Sequence, residues 1–425
     1  MSVLIKNTDM KRLFFHLLPF LSLSVTDVLS QSDAPVLPGD RVAIVGNTFA
    51  DQIRIHGYLE TLLLQRTSEN PVSIRNLGWA GDMLTLRDRP TNFPTEESTL
   101  TDHKTDVIIG CFGLGESFEG EAGIDGFKKD VADFIRSHRG KKYNGETPVR
   151  LVLVSPIAYE NLGRLTPKHE KRNQDLEAYT HAMGAVASQE KVPFVDLFTP
   201  MKYIMDEAGA SKLTTNGIHL NSYGYWTASR FLFNKLVSED GETVREQPWR
   251  IMIDAKEAKG SARGVTLANI KATKTGVSLQ VTETFGPTLT PPTSESLPPQ
   301  LSEFRDRFVV ENLEPGRYSL LIDDEIVASA SRAEWEEGVV IDSSPAHHEA
   351  EALREAVNDK NRQFVYSWKA YNQVHIVGER RSSPSGKALP AEVVEFNQIA
   401  NQRDRAIQGS LAPKTREWRL MSIPD

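Results

Sequence analysis

Five short apolar runs, each closed by glycine or polar residues, alternate with segments of helical spacing through the first half of the chain. Residues 41–45, 72–76, 106–112, 150–155 and 193–197 read as strands. Short, continuous, β-branched runs bounded by turn residues suit strands buried on both faces. Phe49, Ile53, Leu59, Leu62 and Leu63 follow a helical period after the first run. So do Phe127, Val131 and Phe134 within 124–135, the segment 176–186, and the segment 221–236 with Trp226, Phe231 and Phe233. This alternation predicts an α/β unit whose parallel sheet is covered by helices on both faces. Ligands of such sheets bind at the carboxyl ends of the strands.

Beyond residue 238 the pattern changes. Short strands are expected at 249–253, 264–270, 276–282, 308–310 and 318–322, with a Pro-Gly turn at Pro315-Gly316 and a Pro/Thr/Ser-rich loop at 286–299. This reads as a β-rich accessory module over 247–342. Residues 349–368 carry Leu353, Val357, Phe364 and Trp368 near one helical face, 380–390 is basic and loop-like, and 393–407 is again helical. The span 346–425 is therefore expected to be a helical C-terminal segment. No internal repeat is evident.

The N-terminus stands apart. Lys6, Lys11 and Arg12 precede an apolar run over 13–25, too short to span a bilayer comfortably. This is the layout of a signal peptide over residues 1–30, with cleavage near 28–30 or 22–24, and it implies a secreted or periplasmic protein without a stable transmembrane anchor. A membrane anchor or a misplaced start is the alternative. A net charge of −8 over 425 residues speaks against a nucleic-acid partner. The single cysteine, Cys111, cannot form an intramolecular disulfide and reads as a small buried hydrophobe. The oligomeric state is not written in the pattern.

Chemistry collects on the loops. Gly46-Asn47-Thr48 turns the chain between the first strand and helix, placing the Thr48 hydroxyl beside helix N-terminal amides that favour an oxyanion. Thr48 is a candidate nucleophile; Asn47 or Thr48 as a plain N-cap is the competing reading. Gly113-Leu114-Gly115 lacks the third glycine of a dinucleotide fingerprint and the Lys-Ser/Thr of a P-loop, and Gly115-Glu116-Ser117-Phe118-Glu119 fails the nucleophile elbow at its last position. Ser117 is read as a loop residue that lines the pocket. His219 stands just before the last helix of the α/β unit and can serve as a general base toward Thr48, with Asn216 three residues earlier orienting its ring. A capping or surface histidine is the alternative. His347-His348, without cysteines nearby, reads as a solvated helix start, so no metal and no cofactor are expected.

From Gly39 to Leu236 the chain resembles the SGNH/GDSL hydrolase superfamily. The likeness rests on Gly46-Asn47-Thr48 for the first block, 76–82 for the second, Gly113-Leu114-Gly115-Glu116 for the third and Asn216-Gly217-Ile218-His219 for the fourth. It implies a flavodoxin-like α/β/α sandwich over 39–238. It also implies Thr48 as nucleophile, His219 as base, Asn216 in the acid position, and an oxyanion hole from Thr48, Gly81 and Gly115. The departures all fall on the chemistry: Thr48 replaces serine, Asn216 replaces aspartate and Gly115 replaces asparagine. An amide behind the histidine cannot stabilise an imidazolium; in serine proteases that change costs about ten-thousand-fold. Losing one oxyanion donor costs about 2.7–4 kcal/mol of transition-state stabilisation. Two functions follow from the resemblance. One is a hydrolase of acyl or carbohydrate esters, acting on an ester-bearing small molecule or glycan. The other is a non-catalytic module that keeps the pocket for a glycan or partner.

Overall fold

The computed structural model describes residues 34–423 apart from 90–92, 208, 210, 238–247, 274, 293–296 and 370–377. The proposed signal peptide lies outside the described residues. No helix among those described is long and apolar enough to cross a membrane. The described residues pack as one compact unit.

The first half builds a five-stranded parallel sheet in the order β2-β1-β3-β4-β5. Its strands are β1 (Arg41–Gly46), β2 (Ser73–Asn76), β3 (Val107–Cys111), β4 (Arg150–Val154) and β5 (Phe194–Val195). All five coincide with the apolar runs, and β2 and β3 are buried throughout. The helices are α1 (Thr48–His56), α2 (Tyr58–Arg66), α3 (Glu96–His103), α4 (Ile124–His138), α5 (His169–Glu190), α6 (Phe198–Asp206) and α7 (Ser222–Leu236). One apolar cluster on one side of the sheet joins Val42, Ile44, Ile109, Trp226 and Leu232. A second on the other side joins Ala43, Val45, Ile108, Phe127, Val131 and Tyr179. This is the flavodoxin-like α/β/α sandwich. The continuous helical spacing after β1 is cut in two at Gly57, which takes φ 69° to end α1 and start α2; glycine enters that conformation without a side-chain clash.

The β-rich part contains two sheets. One holds β6 (Arg250–Asp254), β7 (Lys259–Arg263), β10 (Asp306–Glu311) and β13 (Val339–Ile341) in the order β13-β10-β6-β7. The other holds β8 (Val265–Thr273), β9 (Gly276–Glu283), β11 (Arg317–Ile322), β12 (Glu325–Ser331) and β14 (Thr415–Ile423) in the order β12-β11-β14-β9-β8. Short helices α8 (Pro299–Ser302) and α9 (Arg332–Glu337) lie between strands. Trp249, Trp335, Trp418, Phe308 and Leu320 fill the space between the sheets.

The C-terminal segment, expected to be helical, is a helical pair followed by a strand. Helices α10 (Pro345–Trp368) and α11 (Pro384–Gly409) pack on one another, and β14 then enters the middle of the second sheet. The basic stretch 380–390, expected to be a loop, is a short 3₁₀ turn leading into the first turns of α11. Pro384 takes the first helical position, where a missing N–H costs nothing, and Pro390 sits inside the helix. Helix α10 rests on α1, α2 and β2. A buried ionic cluster fastens it. Lys360, fully buried, pairs with Glu60 and donates to the Ile74 carbonyl at 3.0 Å, while Asn361 donates to Glu60 at 3.0 Å. From α11, Asp404 accepts from the Ser73 hydroxyl at 2.5 Å.

Candidate active site

The loops after β1, β2 and β3 are laced together at the carboxyl edge of the sheet. The Asn47 N–H donates to the Cys111 carbonyl (3.1 Å), and the Trp79 N–H donates to the Gly46 carbonyl (2.9 Å). Asn76 holds the second loop from inside, donating to the Ala50 carbonyl (2.7 Å) and accepting from the Gly78 N–H (2.9 Å). A Cβ on Gly78 would lie 2.4 Å from the Asp51 nitrogen, so this approach of loop to α1 admits only glycine. The Glu116 carboxylate bridges the second and third loops, accepting from Leu84 N–H and Gly113 N–H at 2.9 Å each. Burial pushes its carboxyl pKa upward, and those two amides work in the other direction.

Asn47 is the N-cap of α1: its Oδ1 accepts from the Phe49 N–H at 3.0 Å. Thr48 is thereby the first helical residue, half-buried, and its hydroxyl has no hydrogen-bond partner among the described residues. The backbone N–H groups of Thr48, Gly81 and Gly115 also donate to no described group. Gly81 takes φ +88°, and nothing lies within 4 Å of where its Cβ would be. A Cβ on Gly115 would meet Met83 Cγ at 2.8 Å. Met83 thus fills the space that an asparagine side chain at position 115 would need.

The fourth loop, between α6 and α7, is a tight excursion. Leu220 bridges to Thr214, Thr215 N–H donates to the His219 carbonyl (2.9 Å), and Asn221 N–H donates to the Leu213 carbonyl (2.9 Å). Its base is held by Glu160, which is 1% exposed; this carboxylate accepts from the Leu213 N–H (3.1 Å), the Thr214 N–H (2.8 Å) and the Thr214 hydroxyl (2.6 Å). Sequence reading missed Glu160. The signal was a lone acid ending the apolar run Pro156-Ile157-Ala158-Tyr159 after β4. Helix α7, which this loop opens, is tied to α1: Tyr225 stacks on Phe49 and His56 and donates its O–H to the Phe49 carbonyl (3.2 Å).

Asn216 and His219 are brought together at the exposed tip of this loop. The Asn216 Oδ1 accepts from the His219 N–H (2.9 Å) and the Ile218 N–H (3.3 Å). Two backbone donors on the oxygen fix which way the amide faces, so its Nδ2 is the atom 3.0 Å from His219 Nδ1. An amide N–H₂ only donates; Nδ1 must therefore accept, and the neutral ring carries its proton on Nε2. No hydrogen bond joins His219 to Thr48 among the described residues.

Ser117 is fully buried and does not open into the pocket. Its hydroxyl donates to the Leu114 carbonyl (2.7 Å) and accepts from Arg172 (2.7 Å), whose guanidinium also binds the Leu114 and Ser117 carbonyls. Arg172, also missed in the sequence, clamps the third loop. Cys111 is buried at the end of β3, and desolvation pushes its thiol pKa up to about 12, far from a thiolate.

His347 is not solvated as expected. It is 4% exposed, with Nε2 3.1 Å from Asp306 and Nδ1 2.8 Å from the Ser344 hydroxyl. Asp306 also accepts from Trp249 N–H (2.6 Å) and Thr288 N–H (2.9 Å). This Ser-His-Asp chain is sealed in the β-rich core. His348 is exposed, as read. Among the described residues no group of three or more His, Cys, Asp or Glu is placed to hold a metal ion.

No protein-family model matches the chain, and no curated protein does. Solved structures do. A gut microbial diltiazem-metabolizing enzyme superposes with a TM-score of 0.68 at 16% identity, over 92% of this chain and all of its own. An α/β hydrolase enzyme from the metagenome of Lake Arreo, Spain, matches 48% of this chain and all of its own, with a TM-score of 0.36 and 15% identity. An acetylxylan esterase from Geobacillus stearothermophilus matches 50% of this chain and 99% of its own, with a TM-score of 0.38 and 14% identity. The first likeness covers the β-rich part and the helical pair as well as the α/β unit, and it establishes the shared fold.

Proposed function

We propose that this protein is a slow ester hydrolase of the SGNH type, acting after export on an acyl or carbohydrate ester. The observation that carries the reading is the set of spare donors at the carboxyl edge. Thr48, Gly81 and Gly115 come from three laced loops, and each keeps an unpartnered backbone N–H. Gly81 is exposed and Thr48 and Gly115 are half-buried, so water can accept from these groups, and a developing oxyanion is a suitable replacement for it. Thr48 Oγ1 attacks the ester carbonyl carbon, its proton passes to His219 Nε2, and the leaving alcohol takes that proton as the acyl-threonine forms. Water, activated by the same ring, then releases the acid.

The slowness follows from the tautomer of His219. To accept at Nε2 the neutral ring must carry its proton on Nδ1, which faces an amide donor. Turning the Asn216 amide over brings its oxygen to the ring but removes the acceptor of two backbone N–H groups. Each unsatisfied donor, where water does not replace the partner, costs about 1–3 kcal/mol. The same geometry supports a second reading. With Nε2 protonated, the His219 ring and the three amides form an all-donor pocket, suited to binding a carboxylate or carbonyl of a glycan without turnover.

An acyl-ester hydrolysis panel on the purified mature protein, with His219→Ala as the control, separates the two. Turnover lost in His219→Ala is the expected result. No turnover in the parent, and none after Asn216→Asp is combined with Thr48→Ser, overturns hydrolysis and leaves the binding reading.

A further inference from the structure

The outer face of the four-stranded sheet carries a row of like charges. Strands β10 and β6 pair in parallel with Arg307 opposite Arg250, and β6 and β7 pair antiparallel with Arg250 opposite Arg263. Three arginines thus stand level on three adjacent strands, the outer two about 10 Å apart at the usual strand spacing. Like charges directly opposite one another are destabilising, and native sheets avoid them unless something else is gained. None of the three is in an ion pair with a carboxylate among the described residues. Arg250 donates to the carbonyls of Trp249 (3.1 Å), Arg305 (2.6 Å) and Glu303 (2.5 Å), and Arg307 donates to the Gly338 carbonyl (2.9 Å). The Arg263 side chain is exposed and makes no hydrogen bond among the described residues. An open depression of about 480 Å³ lies over the row, and no acidic residue lines it.

Two residues along each strand, on the same face, comes a second row: Val309, Met252 and Ser261. Met252 is 46% exposed, whereas its neighbours Ile251 and Ile253 point into the core. The face therefore presents a cationic stripe beside a low apolar stripe. Two residues further along the same face stand Glu311, Asp254 and Lys259, so the cationic row is confined to the Arg307, Arg250 and Arg263 end of the strands.

We propose that this face binds an anionic polysaccharide, with carboxylate or sulfate groups on Arg307, Arg250 and Arg263 and sugar-ring C–H faces on Met252 and Val309. Guanidinium forks match such oxyanions geometrically. No aromatic side chain stands on this face of β6, β7 or β10 to stack a base, and the net negative charge opposes nucleic acid. The site is separate from the carboxyl edge of the parallel sheet and stands whether or not esters are hydrolysed there.

The test uses the whole chain and four probes in low-salt binding titrations: polygalacturonate, dextran sulfate, neutral dextran and a short DNA duplex. Polygalacturonate or dextran sulfate should bind, salt should weaken the binding, and neutral dextran should not bind. Arg263→Glu, at a side chain with no partner to lose, should weaken binding ten-fold or more, and Arg263→Lys should retain most of it. An unfolding midpoint equal to the parent's shows that the loss is local. The proposal is overturned if neither polyanionic glycan binds, if neutral dextran binds equally, if DNA alone binds, or if Arg263→Glu binds like the parent.

Discussion

Two histidines in this molecule are built in opposite ways. His347 has what a catalytic chain is drawn with: a serine on one ring nitrogen, an aspartate on the other, and bonds of 2.8 and 3.1 Å. It has no access, since Ser344, His347 and Asp306 are all under 5% exposed. His219 has access, but an amide stands behind its ring. A hydrogen-bonded chain is therefore no guide to chemistry by itself. Chemistry also needs room for substrate and a charge that favours the protonated ring. The buried chain instead ties β10, α10 and the start of β6 together through one carboxylate.

The comparison can be broken most forcefully at the buried end. Asp306→Ala strands the Trp249 and Thr288 amides and the His347 ring at once. Loss of one partner from a buried charged network costs about 3–5 kcal/mol. Denaturant unfolding should show that loss, while any ester turnover per folded molecule stays unchanged. A fall in turnover without a fall in stability would mean that the sealed chain does reach substrate.

A third histidine sharpens the contrast, because it is buried with no acid or hydroxyl hydrogen-bonded to its ring, Asp404 acting on it only at a distance. His103 has Nε2 3.3 Å from the Val42 carbonyl, and burial, aided by Arg75 and Arg41, lowers its pKa to about 3. The unfolded chain takes up that proton near pH 6.5 and the folded chain does not. The contribution is thus fully present above pH 6.5 and is lost as pH falls from there toward 3. Between pH 6.5 and 5 stability should drop by about 1.6 kcal/mol, the slope approaching 1.36 kcal/mol per unit as the unfolded histidine becomes fully protonated. Unfolding curves of the parent and His103→Gln across this range check it: the variant should lose less.

The smallest expected effect lies at the exposed end. Asn216→Asp keeps an acceptor for the Ile218 and His219 amides and turns the atom facing Nδ1 from donor to acceptor. The ring then carries its proton there and leaves Nε2 free. Turnover should rise ten-fold or more, which needs only about 1.4 kcal/mol. The rise should appear in kcat and vanish in a His219→Ala background. Unchanged or lower turnover with the fold intact removes Asn216 from the acid position.

The parallel sheet was legible because its strands are unbroken apolar runs, and the same strand ends fixed where the functional loops lie. The last strand was not. Thr415–Ile423 turns Arg416, Trp418 and Leu420 inward, and a charged residue at an inward position hides the alternation. Arg416 is buried there only because Glu283, Asp323 and Glu349 surround it. Helix α3 escaped because Leu100 is its one buried apolar residue. At the candidate site, the residue types on each loop could be read from the sequence. The proton position on His219 could not, since it depends on which atom of Asn216 the Ile218 and His219 amides engage. The burial of His347 depends on Asp306, 41 residues upstream.

The place of β14 has a consequence for how the protein is made. It pairs with β9 on one side and β11 on the other, so the second sheet lacks its middle strand until residues 415–423 leave the ribosome. Throughout synthesis of the helical pair, β9 and β11 each present an unpaired edge beside an apolar face, the kind of surface on which nascent chains aggregate. The strands of the parallel sheet are all made early; the β-rich part must wait until β14 has been synthesised. A stop codon or frameshift a few residues short of β14 should therefore yield insoluble chains, even though every loop of the candidate active site has already been synthesised.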